Sequence, residues 1–300
     1  VSAPTFDLQS HSLHSDGALP AAEVVARAAE AGVELLALTD HDTVDGVDEA
    51  LTAASATGGR LRVVPAVEIS SIDGDHEDLH LLGYLVDHHD PVFSERLRRW
   101  RADRSARVGR MEDALRELGW EIDEAPLNAR RAAGKPVGRP HLAQAVTTHP
   151  ANAERLAAEG LDGDFGDFLV AYLIPGAPAF RRRTTPTVGE AIAAVHDAGG
   201  VAVWAHPFWD VDDPDEVVRT LDRFAREHAL DGVEAFYATH TAQQTHLLVA
   251  AARERGLLTT GSADFHGPGH AHFDRFRAFD LYGEHPDLGR IVSSRSGSPS

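Results

Sequence analysis

Histidine and carboxylate side chains close nearly every apolar run in this chain. TFDLQSH ends at His11 with Asp16 a few residues on, LLALTDHD reaches His41, and VVPAVE ends at Glu68. DLHLLGYL carries His80, VAVWAH ends at His206, GVEAFYATH at His240, and TTGSADFH at Asp264 and His266. A lone histidine at the end of a strand is ordinarily structural. Run after run delivering His, Asp or Glu at its end is the pattern of a shared ionic centre. Imidazole and carboxylate without thiolate suit Zn, Mn or Fe. Paired divalent ions about 3.5–4 Å apart are a recurrent device for cleaving phosphate esters. Two or three such ions bring about +4 to +6 against about −3 from Asp16, Glu68 and Asp264, leaving a pocket attractive to phosphate.

Residues this far apart in the chain meet only if the apolar runs that carry them lie side by side. TFDLQ, ELLALTD, LRVVPAVEIS, DLHLLGYLV, VAVWAH, GVEAFY and LLTTGS each predict a strand. LPAAEVVARAAEAG predicts a helix, with Pro20 near its first turn and Gly32 just past its end. A second helix is expected to begin near Asp42 or Thr43 and to close at Gly58-Gly59. TVGEAIAAVHDAGG, the segment from Pro214 to His228, and TAQQTHLLVAAARERG predict three more. This is the β-α-β rhythm of a parallel sheet or barrel. Its strands would all point one way, gathering their C-terminal ends on the face where such enzymes keep their chemistry. Between Pro91 and Thr185 the rhythm gives way to a long Arg-rich helical pattern and shorter helical pieces. Residues 91–185 are therefore expected to form an α-helical insert between barrel segments 1–90 and 186–292, with 293–300 a frayed, disordered tail.

Composition narrows the function classes. At 300 residues, 43% hydrophobic and 25% charged, the chain is an ordinary globular one, which excludes disorder, collagen and coiled coil as the whole answer. No apolar run approaches the ~18 residues of a membrane span. The opening VSAPTFDLQSH has neither the basic region nor the apolar stretch of a signal peptide, so a cytoplasmic protein is expected. Absence of Cys removes disulfides, thiolate metal sites and cysteine nucleophiles together. A net charge of −19 argues against a duplex nucleic acid partner, whose phosphates need cations, but leaves room for a small anionic substrate.

Taken in order, the motifs resemble those of the PHP (polymerase and histidinol phosphatase) family, in its branch of small stand-alone metal-dependent phosphoesterases. The family's opening D-L-H-x-H-S-x-x-S-D-G stands here as Asp7-Leu8-Gln9-Ser10-His11-Ser12-Leu13-His14-Ser15-Asp16-Gly17. Thr39-Asp40-His41-Asp42-Thr43, Glu68-Ile69, His80-Leu81-Leu82-Gly83 and Gly138-Arg139-Pro140-His141 follow. Gly199-Gly200, Ala205-His206-Pro207 and Gly261-Ser262-Ala263-Asp264-Phe265-His266-Gly267 complete the set. The resemblance implies an α/β fold, a distorted (β/α)7 TIM-like barrel with the helical insert domain shaping a substrate pocket. It also implies two or three divalent metal ions. His11, Glu68 and Asp264 would hold one, Asp16, His41 and His266 another, and Glu68, His80 and His206 a third, with Glu68 bridging. Gln9 replaces the first histidine of the H-x-H pair. A neutral amide is a poorer ligand than imidazole, so the first metal is expected to bind more weakly.

The activity implied is hydrolysis of small phosphomonoesters, such as nucleotides or nucleoside bisphosphates, by metal-activated hydroxide. The alternatives are 5′-to-3′ exonuclease action on short RNA, a degenerate non-catalytic PHP domain, and a metal-dependent amidohydrolase. Many amidohydrolases bridge two metals with a carboxylated lysine on a strand, and the sole lysine here, Lys135, falls in the insert. Arg139 and His141 are expected to bind substrate phosphate, Arg through its bidentate fork and a protonated His as donor. His240 is expected to touch substrate or donate a proton. Asp7 and Asp40 would orient the ligand histidines. Trp204, Phe208 and Trp209, beside His206, could stack a nucleobase. The run Arg96, Arg98, Arg99, Arg101, Arg104, Arg107 and Arg110 mostly suits a solvated helix face, with Arg101, Arg104 and Arg107 on one side.

Overall fold

Each expected strand forms in the computed structural model, which describes residues 4–74, 76–132 and 137–293. They are β1 (Phe6–Asp7), β2 (Leu35–Leu38), β3 (Arg62–Asp73), β4 (His76–Tyr84), β5 (Val201–Trp204), β6 (Gly232–Tyr237) and β7 (Leu258–Ser262). The sheet order follows the chain, β1 through β7. Leu8 N–H donates to the Gly261 carbonyl at 3.1 Å and His11 N–H to that of Phe265 at 2.8 Å, which brings the first strand against the last and curls the sheet into a nearly closed barrel. β2, β5 and β6 are buried along their whole length, which is why they read as unbroken apolar runs rather than alternating ones.

One strand departs from the all-parallel expectation. β4 runs antiparallel to both β3 and β5. β3 and β4 form a hairpin, its turn carrying Gly74 at φ +59°, so β4 enters the sheet from the rim where its neighbours leave it. His80, at the midpoint of β4 and paired with Ser70, reaches the same rim as residues at the C-terminal ends of the other strands.

Two compact units divide the chain, one from Val1–Arg98 with Pro186–Ser300, the other Arg99–Thr185. Around the barrel unit lie α1 (Ala21–Glu30) and α2 (Val47–Ser55), whose Val24, Val25, Ala28 and Ala50 pack on Leu36, Leu38 and Val63. α2 starts later than expected, because Asp42 takes φ +54° and its carboxylate accepts the Ser70 N–H at 3.0 Å instead of opening a helix. The helix α3 (Pro91–Glu117) begins in this unit and continues into the second. There it is followed by α4 (Glu124–Ala132), α5 (Arg139–Thr147), α6 (Ala153–Glu159) and α7 (Phe165–Tyr172), with a core of Met111, Leu115, Trp120, Leu142, Val146 and Phe168. The barrel unit resumes with α8 (Val188–Asp197), α9 (Pro207–Asp210), α10 (Pro214–His228), α11 (Ala242–Arg255) and α12 (Arg290–Ser293).

Arg107 departs from the solvated face expected for the arginine run. It is 5% exposed, its Nε donates to the Arg181 carbonyl, and its guanidinium lies over the Phe180 ring. Lys135 lies outside the described residues, as does the expected tail from residue 294 on; Ser293 ends α12. Among the described residues no helix is long and apolar enough to cross a membrane.

Candidate metal centre

Glu68, in the middle of β3, is fully buried, and four imidazoles converge on its carboxylate. His11 Nε2 stands 3.1 Å from Oε2 and His41 Nδ1 3.8 Å from it, while His80 Nδ1 and His206 Nε2 stand 2.7 and 3.2 Å from Oε1. Asp264 brings Oδ1 within 3.1 Å of His11 Nε2. Asp16 completes a second group, its oxygens 3.5 Å from His41, 3.6 Å from His266 and 3.6 Å from His11. The His11 ring is stacked between those of His41 and His266, at centroid distances of 4.7 and 4.3 Å. His80 and His206 form the third group with Glu68, their nitrogens 3.4 Å apart. All nine residues expected around the metals, Gln9 included, thus gather at one rim.

Backbone geometry aims them there. His206 and Asp264, each just past a strand end, take φ +25° and +54°, in a region that L residues seldom adopt. Such strain persists where surrounding contacts hold it, and here it turns both side chains into the cluster. Gly17 lets its loop close on itself: a Cβ there would stand 2.3 Å from the His11 carbonyl oxygen.

The donor set fits divalent cations by a test independent of resemblance. His11 Nε2, His41 Nδ1, His80 Nε2, His206 Nδ1 and Asp264 Oδ1 are buried side-chain atoms without a hydrogen-bond partner. Leaving several such atoms dry costs about 1–3 kcal/mol each unless something else satisfies them. The protonation pattern agrees. Burial opposes charge on His206, yet the Glu68 hydrogen bond and the charges of Glu68, Glu234 and Asp210 lift it to about 9. Burial likewise opposes charge on His11, and Asp264, Glu68 and Asp16 push its imidazole well above the ordinary range. Glu68, despite burial, is held well below the usual carboxylate range by His41, His80, His11 and His206. The cluster stays ionised and collects positive charge, which metal ions would supply in place of protons.

Gln9 is in the cluster as well, hydrogen-bonded to Glu68. Its side-chain N–H donates to Glu68 Oε2 at 2.8 Å, and its carbonyl oxygen faces the Ser262 hydroxyl at 3.3 Å. Gln9 thereby holds the Glu68 carboxylate with its amide N–H, and its carbonyl oxygen would be a poorer metal donor than the imidazole it replaces.

Three further residues belong to the site without having stood out in the sequence. Tyr237 donates its hydroxyl to Asp264 Oδ2 at 2.7 Å. Glu234, fully buried, accepts the Ser262 hydroxyl at 2.6 Å and the His206 N–H at 3.0 Å, and burial raises its carboxyl to about 8. Its charge inside the apolar strand GVEAFY was the visible signal. Tyr237 and Ser262 carried none, since a Tyr or Ser at a strand end is commonplace.

The supporting aspartates act on loops rather than on rings. Asp40 accepts the Ser12 N–H and the Ser12 and Ser15 hydroxyls at 2.6–2.7 Å. Asp7 accepts backbone N–H groups of Ala263 and Arg277 at 2.9 and 2.7 Å, while burial pushes it up to about 7. His266 donates Nδ1–H to the Asp264 carbonyl at 2.7 Å, which turns its Nε2 toward Asp16.

His240 lies buried with Nδ1–H donating to the Ala235 carbonyl at 3.2 Å and Nε2 without a partner. Burial lowers it to about 4, so the ring is neutral at pH 7 and offers a lone pair. Trp204 is fully buried against Phe224, which removes it from any base-stacking role. Arg139 and His141 belong to the second unit, in the first turn of α5. His141 Nδ1 accepts the Gly138 N–H at 3.0 Å, and burial with the Arg130 charge lowers its imidazole, which opposes the protonated form expected of a phosphate donor. His88 and His89 pair with Asp48 on the surface, away from this account.

The PHP domain model matches residues 7–117. A 5′-3′ exoribonuclease of Haemophilus influenzae is 32% identical over 88% of this chain and 90% of its own. A 3′,5′-nucleoside bisphosphate phosphatase of Chromobacterium violaceum is 31% identical over 92% of each. A solved Bifidobacterium adolescentis chain, described as a metal-dependent phosphoesterase, superposes with a TM-score of 0.70 at 27% identity, covering 97% of this chain and 96% of that one. With identity of this level along nearly the whole of both chains, and the ligand cluster assembled, the protein belongs to the PHP domain family and is one of its phosphoesterases.

Proposed function

We propose that the protein hydrolyses small phosphomonoesters, nucleotides or nucleoside bisphosphates among them, with two or three Mn, Fe or Zn ions held in the Glu68 cluster. The observation that carries this is the gathering of four imidazoles around the buried Glu68 carboxylate from segments far apart in sequence, with five buried nitrogen and oxygen atoms of the cluster left without a hydrogen-bond partner. Bound ions would supply Lewis acidity, positive charge and a water made nucleophilic near neutral pH. The chain's own residues do the positioning. Glu68 ties the three donor groups together, and Gln9 and Tyr237 fix the carboxylates of Glu68 and Asp264. Neutral His240 accepts a hydrogen bond from substrate or water rather than donating its proton. For Arg139 and His141, a role on substrate phosphate rests on the motif and on Arg's fork geometry; R139A should raise KM more than it lowers kcat.

The test is D264N and H206A, assayed with Mn²⁺ on a nucleoside monophosphate. Each should lose more than the roughly 10–100-fold that removing an outer partner costs, with the circular dichroism spectrum unchanged. Full activity in either variant would end the assignment. The exoribonuclease name of the Haemophilus relative supports a second reading, trimming of short RNA from its 5′ end. Release rates from a mononucleotide and from a short 5′-phosphorylated oligomer separate the two, and the charge of −19 favours the smaller substrate.

A further inference from the structure

One large aromatic ring at the metal rim is left in water. Trp209, three residues beyond His206 on α9, is 53% exposed, whereas Trp204, five residues before it in sequence, is fully buried. The Trp209 backbone N–H donates to the His206 carbonyl at 2.8 Å, so the unusual backbone of His206 also sets where the indole stands. The ring does not stand alone. It lies 5.7 Å from the Phe273 ring and 6.5 Å from the Tyr237 ring, centroid to centroid. Those two buried rings are 5.9 Å apart, and each touches the cluster. Tyr237 stands 5.1 Å from the His206 ring and bonds Asp264, while Phe273 stands 5.6 Å from the His266 ring. Trp209 is thus backed by a fixed aromatic wall, and only one ring layer separates it from the residues that would hold the reacting phosphate.

We propose that Trp209 is the base platform of the site: the nucleobase of a nucleotide substrate stacks on its exposed indole while the phosphate lies at the Glu68 cluster. This rests on the phosphoesterase reading above and names the substrate class more narrowly, as phosphate esters bearing an aromatic base. Three features support it. A stacked base covers apolar surface that otherwise stays wet. The rigid backing from Phe273 and Tyr237 means little side-chain freedom is lost on binding. Every base has a π-face, so such a platform accepts bases without reading their edges.

The experiment compares AMP with ribose 5-phosphate, which keeps the sugar and the phosphate but lacks the base. In the metal-loaded protein, W209A should lower kcat/KM for AMP about tenfold or more, chiefly through KM, and leave ribose 5-phosphate within about twofold. W209F should retain most of the AMP activity. Equal losses on both substrates, or no loss on AMP, would overturn the platform. AMP binding by calorimetry to wild type and W209A needs no turnover, so it separates the two ideas. A wild type that binds AMP tightly without hydrolysing it, and loses binding in W209A, would sink the phosphatase reading and keep the platform.

Discussion

Gln9 shows how one side chain alters a metal centre without dismantling it. By giving an N–H to Glu68 Oε2 it keeps that carboxylate in place, while its carbonyl oxygen, which accepts from Ser262, is a poorer metal donor than an imidazole. After mild dialysis the protein should therefore hold fewer than three ions per chain by elemental analysis, and Q9H should retain an additional one. Three tightly held ions in the wild type would contradict this account. Tyr237 acts at the same scale. Y237F removes the hydroxyl bound to Asp264 Oδ2, and an outer partner of this kind is worth about 10–100-fold in metal affinity or activity. The expected result is a loss in that range on titration with Mn²⁺, with thermal stability little changed. Gly17→Ala should be worse than its size suggests, because its Cβ has no room beside the His11 backbone.

At the level of elements, the reversed β4 is what brings His80 to the rim, and the β3–β4 hairpin is its mechanism. Helices around the barrel are held by local devices that contribute to stability and not to chemistry. Thr187 opens α8 with a reciprocal cap: Glu190 N–H donates to Thr187 Oγ1 at 3.2 Å and Thr187 N–H to Glu190 Oε2 at 2.8 Å. T187A should cost about 1 kcal/mol, read as a lower denaturation midpoint at unchanged kcat. A large fall in kcat at full stability would show that α8 does more than support. Asp7 and Asp40 belong here too, since they pin the loops after β7 and β1 through backbone N–H groups and hydroxyls.

For the molecule as a whole, the proposed metal binding would couple to folding through the cluster's imidazoles. His206 in the metal-free protein is raised to about 9, from an ordinary value of 6.5. Its proton therefore stabilises the fold fully below pH 6.5, and that contribution is lost as pH rises through 9. A metal needs the neutral ring, so ions and protons compete for it. Stabilisation by Mn²⁺ should amount to about 2.7 kcal/mol at a hundred times its Kd, and at fixed Mn²⁺ the gain in Tm should grow between pH 6.5 and 9. A gain independent of pH across that window would mean that the histidines are not the ligands.

What the sequence determined by itself was local. Apolar runs, Pro and Gly punctuation and the spacing of His and acidic residues depend on near neighbours, and they were enough for the strands, most helices and the histidines and carboxylates that cluster at the rim. The tertiary structure decided whatever depends on pairing between distant segments. Strand direction is such a property: a run like DLHLLGYLV has no polarity of its own, so β4 reverses unannounced. Hydrogen bonding is another: the orientation of the Gln9 amide and the tautomer of His240 are set by Glu68 and Ala235 facing them, and His141 Nδ1 is turned to the Gly138 N–H. Burial is the third. Adjacent motifs put Trp204 and Trp209 on equal terms, and only the packed barrel buries one and leaves the other in water.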